Sequence, residues 1–186
     1  MPIYLCVVCL LGVAQGQDSK LELERLRPPQ EAAMVSARLL EELAPGDAHL
    51  VISLSRQRAY LLQGEQLIID SPISSGRLGA ETPLGDFRVH RKAASATNPR
   101  YGAFYDGQRR VLRHSVSEVL DSMPARTSFR PTEVEFLVGV QDGLFAIYGA
   151  DLPGYAASDR DIWLPAEIAK LIYYKLRLGS HIRVIE

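Results

Sequence analysis

Cysteine is nearly absent from this chain. Only two of its 186 residues are cysteines, Cys6 and Cys9. Both lie in an apolar run over residues 3–14, and the small residues after this run suit cleavage by a signal peptidase after Gly16. We therefore predict that residues 1–16 are a signal peptide and that the protein is exported. The mature chain then has no thiol nucleophile, no disulfide and no cysteine-bound metal.

A long hydrophobic run and an excess of one charge are also absent. The apolar run near the amino terminus covers only residues 3–14, whereas a membrane-spanning helix needs about 20 residues. Lys and Arg number 21 against 22 Asp and Glu, which gives a net charge of −1. These features predict no permanent membrane span and no nucleic-acid or anionic-membrane partner.

The spacing of apolar residues predicts a mostly β domain with minor α content, either a curved mixed sheet or a sandwich. Residues 17–47 are first charged and Pro-rich and then amphipathic, which predicts a linker and a short helix from about Pro29 to Leu43. From residue 48 onwards apolar residues alternate as in strands, and "LPAEIAKLIYYKLRLG" predicts one packed helix near the carboxyl end. We expect residues 48–186 to form one domain.

Turn signals divide this domain into strands. "HLVISLS" and "RAYLLQGEQLIIDSP", with a turn at Gln63 and Gly64, predict three strands, and "GDFRVHRK" and "SHIRVIE" predict two more. "VEFLVGVQDGLFAIYG" predicts a hairpin that turns at Asp142 and Gly143. Residues 93–130 are rich in Ser, Arg and Pro and predict a loop with a short hairpin, of the kind that forms lids or binding loops.

Two segments carry motifs of a known family. They are "SPISSGRLGAETPLGDF" and "YGADLPGYAASDRDIWLP", and they resemble the L,D-transpeptidase patterns "pvStG…TPxGxF" and "HAGYLPGYPASHGCVRLP". The resemblance extends from about His49 to Glu186 and implies the family's fold. It also implies a relation to exported bacterial enzymes that cross-link peptidoglycan stem peptides through a cysteine acyl-enzyme. The matching residues are Ser74, Gly76, Thr82, Pro83, Gly85, Phe87, Leu152, Pro153, Gly154, Tyr155, Ala157, Ser158, Leu164 and Pro165.

The residues that this resemblance assigns to the reaction are replaced. Tyr148 stands at the position of the family's base histidine, and Asp161 stands at the position of its nucleophilic cysteine. The other positions of the motif hold Ser158, which is kept, and Asp159, Arg160 and Trp163, which replace a histidine, a glycine and an arginine.

These replacements oppose acyl transfer. The carboxylate of Asp161 is a weak nucleophile, and its attack on an amide would give a mixed anhydride prone to hydrolysis. Tyr148 has an ordinary pKa near 10 and donates rather than accepts a proton at neutral pH. Arg160 replaces a glycine, the residue that adopts a positive φ without a steric penalty, so the turn is expected to be disturbed. Ser158 and Trp163 are expected to be turn and packing residues. We therefore predict no active catalytic residue, no cofactor and no metal.

Two roles stay open for the acidic residues. Asp159 and Asp161 could act with Tyr148 as general acid and base, or with Asp151 as ligands for a hard cation. In the role that we favour, Asp161 accepts a hydrogen bond from Tyr148, and Asp159 pairs with Arg160 or with solvent.

The sequence thus predicts an exported, catalytically inactive L,D-transpeptidase-like protein of the periplasm or cell envelope. Its expected partners are peptidoglycan stem peptides or a cell-wall synthesis protein. One alternative is an active family enzyme, a transferase or hydrolase, with a non-standard site around Asp161. Another is a structural or regulatory envelope protein without a wall ligand. The candidate ligand-binding groove consists of Leu152, Pro153, Gly154, Tyr155, Thr82 and Pro83.

Overall fold

The computed structural model describes residues 30–119 and 121–186. The predicted signal peptide and part of the predicted linker lie outside the described residues. Within the described part, no helix is long and apolar enough to cross a membrane. The strands are β1 (Met34–Val35), β2 (His49–Ser53), β3 (Arg58–Gln63), β4 (Gln66–Pro72), β5 (Gly85–Tyr105), β6 (Val111–Ser117), β7 (Ser128–Val140), β8 (Phe145–Gly149), β9 (Ile162–Leu164) and β10 (His181–Ile185), and the α-helices are α1 (Ala37–Glu42) and α2 (Ala166–Lys175).

The ten strands of the described residues form one mixed sheet. Their order is β1-β4-β3-β2-β10-β5-β7-β8-β9, and β6 pairs with β5. The pairs β2/β10 and β8/β9 are parallel, and the other neighbours are antiparallel. This arrangement confirms the predicted mostly β fold with a curved mixed sheet. Residues Glu31–Glu186 form one compact unit.

The core lies along the middle strands of the sheet and under α2. In β2 and β10 every second side chain is buried, among them Leu50, Ile52 and Ile182, because side chains of a strand alternate between its two faces. In α2 the residues Ile168 and Ile172, one helical turn apart, are buried in the same core cluster. The core thereby packs α2 against β8 and β9, the strands that contain Tyr148 and Trp163.

The helix α2 begins after Pro165 and ends before Leu176. Glu167 lies in its first turn and Lys175 in its last turn, so both charges complement the helix dipole. At the start of α2 the chain passes close to β8, because a Cβ added at Gly149 would lie 3.0 Å from the Cα of Ala166. This contact fixes the end of β8 against the helix.

Two predictions about local structure were wrong in extent. The helix predicted from Pro29 is only α1, Ala37–Glu42, because Met34–Val35 pairs with β4 as a short strand instead. Residues 93–130 are mainly strand and not loop, although the short hairpin predicted within them is present, formed by the end of β5 and β6. Strand β5 continues to Tyr105, turns back as β6, and pairs along most of its length with β7.

Candidate functional site

The motif segments come together beside β8 and β9. Ser74 forms an isolated antiparallel bridge with Trp163, through backbone hydrogen bonds of 2.9 and 3.0 Å. Gly76 forms a parallel bridge with Ser158, and the amide of Ser158 donates to the carbonyl of Ser75 at 3.0 Å. The sequence motifs that are far apart in the chain are therefore neighbours in the fold.

Hydroxyl groups of the retained motif residues hold these segments in place. Ser74 donates to the carbonyl of Tyr155 at 2.6 Å. The hydroxyl of Thr82 donates to the carbonyl of Arg160 at 2.8 Å and accepts from the amide of Gly76 at 3.0 Å. Ser158 is fully buried and donates to the carbonyl of Asp161. Ser158 thus has a structural contact of the kind predicted for it.

Asp161 and Tyr148 are adjacent, and both are buried. Asp161 is 2% exposed and Tyr148 is 1% exposed. The hydroxyl of Tyr148 donates to Oδ2 of Asp161 at 3.3 Å, which confirms the hydrogen bond predicted between them. The same hydroxyl accepts hydrogen bonds from Nε1 of Trp163 at 2.8 Å and from the side-chain Nδ2 of Asn98 at 3.1 Å.

The carboxylate of Asp161 is occupied by protein groups at both oxygens. Its Oδ1 accepts from the backbone amide of Ala146 at 2.8 Å and lies 3.6 Å from a guanidinium nitrogen of Arg100. Its Oδ2 accepts from the side chain of Asn98 at 3.0 Å, besides the bond from Tyr148. Both oxygens of Asp161 are thus engaged by donors of the protein itself.

Burial shifts the pKa of both central side chains. Loss of solvent raises the pKa of Asp161, although its bonds from Ala146 and Asn98 and the charge of Arg100 oppose the rise. Burial and the neighbouring Asp161 raise the pKa of Tyr148 well above 10. Tyr148 therefore keeps its proton at neutral pH and cannot act as the general base that the family's histidine supplies.

Strand β5 closes the space above this pair. Asn98 pairs with Thr132 of β7 and Gly102 pairs with Pro131, so residues 99–101 form a bulge between consecutive partners. Bulges of this kind re-aim side chains. The ring of Tyr101 lies 4.9 Å from the ring of Trp163 and 6.3 Å from that of Tyr148. Tyr101 and Asn98 thereby cover the positions that the resemblance assigns to the reaction.

Trp163 has the packing role predicted for it. It is 3% exposed and belongs to a buried cluster with Tyr148, Val134 and Leu137. Because its ring is covered, it offers no open face for stacking on a ligand.

Arg160 keeps the backbone conformation of a glycine position. Its φ is +67°, in the left-handed region that an arginine enters only at a cost of about 1–2 kcal/mol. Its amide donates to the carbonyl of Ala80 at 3.0 Å. The turn is thus retained, and this amide is already bonded within the protein. It is not directed at a site where a negative oxygen could develop.

Asp159 does not share a site with Asp161. Its carboxylate accepts a hydrogen bond from the hydroxyl of Ser117 at 2.9 Å, so its partner in the protein is Ser117 and not the predicted Arg160, while the residue stays half-buried. Asp151 lines a different cavity from Asp161. Among residues 30–119 and 121–186, no group of three or more acidic or histidine side chains is placed to hold a metal ion.

Two cavities adjoin the residues around Tyr148 and Asp161, since Tyr101 lines one of them and Asp161 lines the other. One, of about 560 Å³, is lined by Leu152 together with Tyr101, Glu133, Asp151 and Glu167. The other, of about 480 Å³, borders Asp161 and Arg100. Residues 97–101 contribute to the walls of both cavities: Tyr101 lines the first, and Thr97 to Arg100 line the second. The segment that covers Tyr148 and Asp161 therefore also shapes the two cavities.

The predicted groove residues differ in their surroundings. Leu152 lines the larger cavity. Thr82 is 2% exposed and its hydroxyl is engaged in backbone hydrogen bonds, so it supports the frame. Pro153 is exposed, and Pro83, Gly154 and Tyr155 are half-buried.

Three important residues of the site were missed in the sequence. Asn98, Arg100 and Tyr101 lie in the segment that was predicted as a loop, about 50 to 60 positions before their partners. The dipeptide Asn98-Pro99 marks a turn or irregularity, but no periodic pattern links it to Tyr148 or Asp161. Only the pairing of β5 with β7 brings them together.

Comparison with known proteins agrees with this fold. A family model described as L,D-transpeptidase catalytic domain matches residues 47–163. Similar solved structures include the L,D-transpeptidase from Mycobacterium smegmatis, with a TM-score of 0.58 and 16% identity, covering 75% of this chain and 59% of that chain. LD transpeptidase LdtMt1 in complex with imipenem gives a TM-score of 0.56 and 16% identity, with the same coverage. A mutant of the Enterococcus faecium L,D-transpeptidase gives a TM-score of 0.53 and 18% identity, and the match covers 76% of this chain and 50% of that chain.

The fold and the motif positions define a mixed-sheet domain with a tyrosine and an aspartate at its centre. The chain belongs to the L,D-transpeptidase catalytic domain family. It spans about six-tenths of the length of the first two of these structures. A comparison with curated protein sequences gives no match.

Proposed function

We propose that this protein is an exported, catalytically inactive member of the L,D-transpeptidase family that binds peptidoglycan stem peptides in the cell envelope. The observation that carries the proposal is Asp161, which stands at the nucleophile position, is 2% exposed and has both oxygens bonded to protein donors. A buried carboxylate of this kind supports the fold and does not attack a peptide.

The loss of activity follows from three independent changes. The nucleophile position holds a carboxylate, which forms an acyl intermediate far less readily than a thiolate does. The base position holds Tyr148, whose raised pKa keeps it protonated. The amide of Arg160 is bonded to Ala80. Restoring one of these groups alone would leave the other two defects in place.

The binding role is supported by the space beside the centre. The larger cavity, of about 560 Å³, has Leu152 and Tyr101 as apolar surfaces and Glu133, Asp151 and Glu167 as acidic groups. Its volume is in the range of small-molecule and peptide sites. Its carboxylates suit a peptide ligand that carries an amino group.

Co-sedimentation with purified sacculi tests the binding role. We expect the protein to pellet with sacculi, and Leu152→Arg to abolish this because the long charged side chain fills the larger cavity. Leu178→Arg is the matched control, since Leu178 is 67% exposed and does not line that cavity. Failure of the unmodified protein to pellet would overturn the proposal in favour of an envelope protein without a wall ligand.

Incubation with tetrapeptide muropeptides tests the loss of activity. Mass spectrometry is expected to show neither an acyl adduct nor a cross-linked or hydrolysed product. Turnover that disappears in Asp161→Asn would instead support an active enzyme. Export is tested separately, because the secreted protein should begin at Gln17 when its amino terminus is sequenced.

A further inference from the structure

We propose that the smaller cavity, between β5, β7 and β8, is a binding site for a carboxylate group of a short ligand, held by Arg91 and Arg100. The cavity has a volume of about 480 Å³ and is distinct from the larger cavity assigned to the wall peptide. Its walls include Asn98, Leu137 and Ala146 besides the two arginines. The site does not depend on the proposed wall-peptide function, since a free carboxylic acid would bind through the same group.

The two arginines supply donors that the protein does not use fully. Arg91 is exposed and has no ion-pair partner among the described residues. Arg100 has one ion-pair contact, at 3.6 Å from Asp161, which is long compared with the 2.7–2.9 Å typical of charged hydrogen bonds. A guanidinium offers five N–H donors in a fork that matches a carboxylate. The cavity therefore holds positively charged groups with spare donors.

The acidic groups at the cavity already have partners. Asp161 accepts from the backbone amide of Ala146 and from the side chains of Asn98 and Tyr148. Asp142 lies 3.3 Å from His90 at the rim, where both side chains are mostly exposed. Neither acid forms an ion pair with Arg91. A negatively charged group that enters the cavity can therefore contact Arg91 without displacing an existing pair.

The remaining walls limit the size and character of the ligand. Pro99, Leu137, Phe145 and Ala146 give the cavity apolar surfaces, and its volume lies toward the lower part of the range for small-molecule sites. This space suits a carboxylate attached to one or two small aliphatic residues. Two sources share this chemistry, the carboxyl end of a peptide and a free short carboxylic acid.

Amide NMR of the full chain tests the site. N-acetylalanine represents a peptide end, propionate represents a free acid, and N-acetylalanine amide lacks the carboxylate. We expect at least one carboxylate probe to give saturable shifts at Asn98 and Ala146, with at least tenfold weaker binding of the amide. Saturation by N-acetylalanine alone identifies a peptide end, and saturation by propionate identifies a free acid. No saturable shift from either carboxylate, or equal binding of the amide, would overturn the proposal.

Matched arginine variants separate this site from general charge effects. Arg91→Gln should weaken binding of the carboxylate probe by about tenfold or more, because it removes the unpaired guanidinium. Arg56→Gln removes an exposed arginine that does not line the cavity and should leave the affinity unchanged. Equal affinities of Arg91→Gln and the unmodified protein would contradict the proposal. Pelleting with sacculi without probe binding would refute this site alone, and probe binding without pelleting would refute the wall-peptide role alone.

Discussion

Asp161 and Tyr148 stand at the two positions that the resemblance assigns to the reaction, and their hydrogen bonds explain how both side chains can be buried. A buried polar group is stable only when its donors and acceptors are paired. Here the hydroxyl of Tyr148 accepts from Trp163 and Asn98 and donates to Asp161. The central pair has thus become part of the folded core.

Removing the hydroxyl of Tyr148 tests this network. Tyr148→Phe leaves the indole N–H of Trp163 without its acceptor and weakens the bonding of Asp161. We expect the free energy of unfolding in urea to fall by roughly 1–3 kcal/mol, the cost of an unpaired buried polar group. Tyr174→Phe is the control, because Tyr174 is 57% exposed, and its effect should stay within about 0.5 kcal/mol. Equal effects of both variants would contradict the account.

The raised pKa of Asp161 predicts a pH dependence with a definite sign. The folded protein holds this carboxyl's proton at a higher pH than the unfolded chain, whose carboxyl titrates near 3.8. Above the pKa that Asp161 has in the folded protein, this group contributes no such stability. As the pH falls from that pKa towards 3.8, the folded state binds a proton that the unfolded chain does not, and the free energy of unfolding rises. The Asp161→Asn variant has no carboxyl at this position and therefore lacks this pH-dependent contribution to stability.

Urea unfolding of both proteins between pH 7 and pH 4 measures this effect. The stability of the unmodified protein relative to Asp161→Asn should increase as the pH is lowered. Carboxyls with lowered pKa, such as Asp86 and Asp106, act in the opposite direction, but they are present in both proteins and cancel in the difference. A difference that is constant over this range would show that the carboxyl of Asp161 has an ordinary pKa in the folded protein.

At the scale of elements, the frame depends on a tight turn within the first motif segment, between Gly76 and Thr82. A Cβ at Gly76 would collide with the carbonyl of Ala80 and lie 2.6 Å from the amide of Thr82. These are backbone atoms and cannot turn aside as a flexible side chain does. Gly76 is thus required for the tight turn that brings Ala80 and Thr82 of the first motif against its own backbone.

The substitution Gly76→Ala tests this contact. We expect it to lower the free energy of unfolding by roughly 1–3 kcal/mol through overpacking. Gly107→Ala is the matched control, because a Cβ there would meet no atom within 4 Å, and it should leave stability unchanged or raise it by up to about 1 kcal/mol. Chemical denaturation of the two variants provides the measurement. A loss in Gly107→Ala as large as in Gly76→Ala would refute the packing argument.

Elements with a strong local pattern could be predicted from the sequence. Strands β2, β3, β4 and β10 alternate apolar residues, the hairpin of β7 and β8 turns at Asp142 and Gly143, and α2 has a helical stripe. Within residues 93–130 the sequence predicted only a short hairpin, which β6 forms with the end of β5, and not the full length of β5 beyond Lys92. The Ser, Arg and Pro residues of this segment show no period of two. Strand β5 is held by pairing with β7, which lies far along the chain, and β6 is held by pairing with β5.

The same distinction applies to the site. The motif positions of Tyr148, Ser158 and Asp161 were predicted, because each follows from its place in the motif. The covering of Tyr148 and Asp161 by Asn98 and Tyr101 was not predicted. It depends on a bulge in β5 whose position is set by the pairing of β5 with Thr132 and Pro131 of β7. The short extent of α1 has a similar cause, since pairing of β1 with β4 overrides the helical pattern before it.

At the scale of the whole molecule, the family fold is present, and the positions that the resemblance assigns to the reaction are buried within it. The mixed sheet, the bridges at Ser74 and Gly76, and the backbone turn at Arg160 are all present. The centre between them is filled by Tyr148, Asp161 and Trp163 under the cover of β5. Two cavities adjoin this centre, one lined by Tyr101 and the other by Asp161. This arrangement is consistent with binding without chemistry.

Intact-mass spectrometry of the protein after incubation with imipenem tests the central claim most directly. A β-lactam acylates a reactive nucleophile, and a relative was solved in complex with this compound. The variant with Cys6→Ala and Cys9→Ala removes both thiols of the full chain, so that any adduct must arise in the folded domain. We predict an unchanged mass over a period in which an active L,D-transpeptidase is fully modified. A covalent adduct that maps to Asp161 would contradict the account.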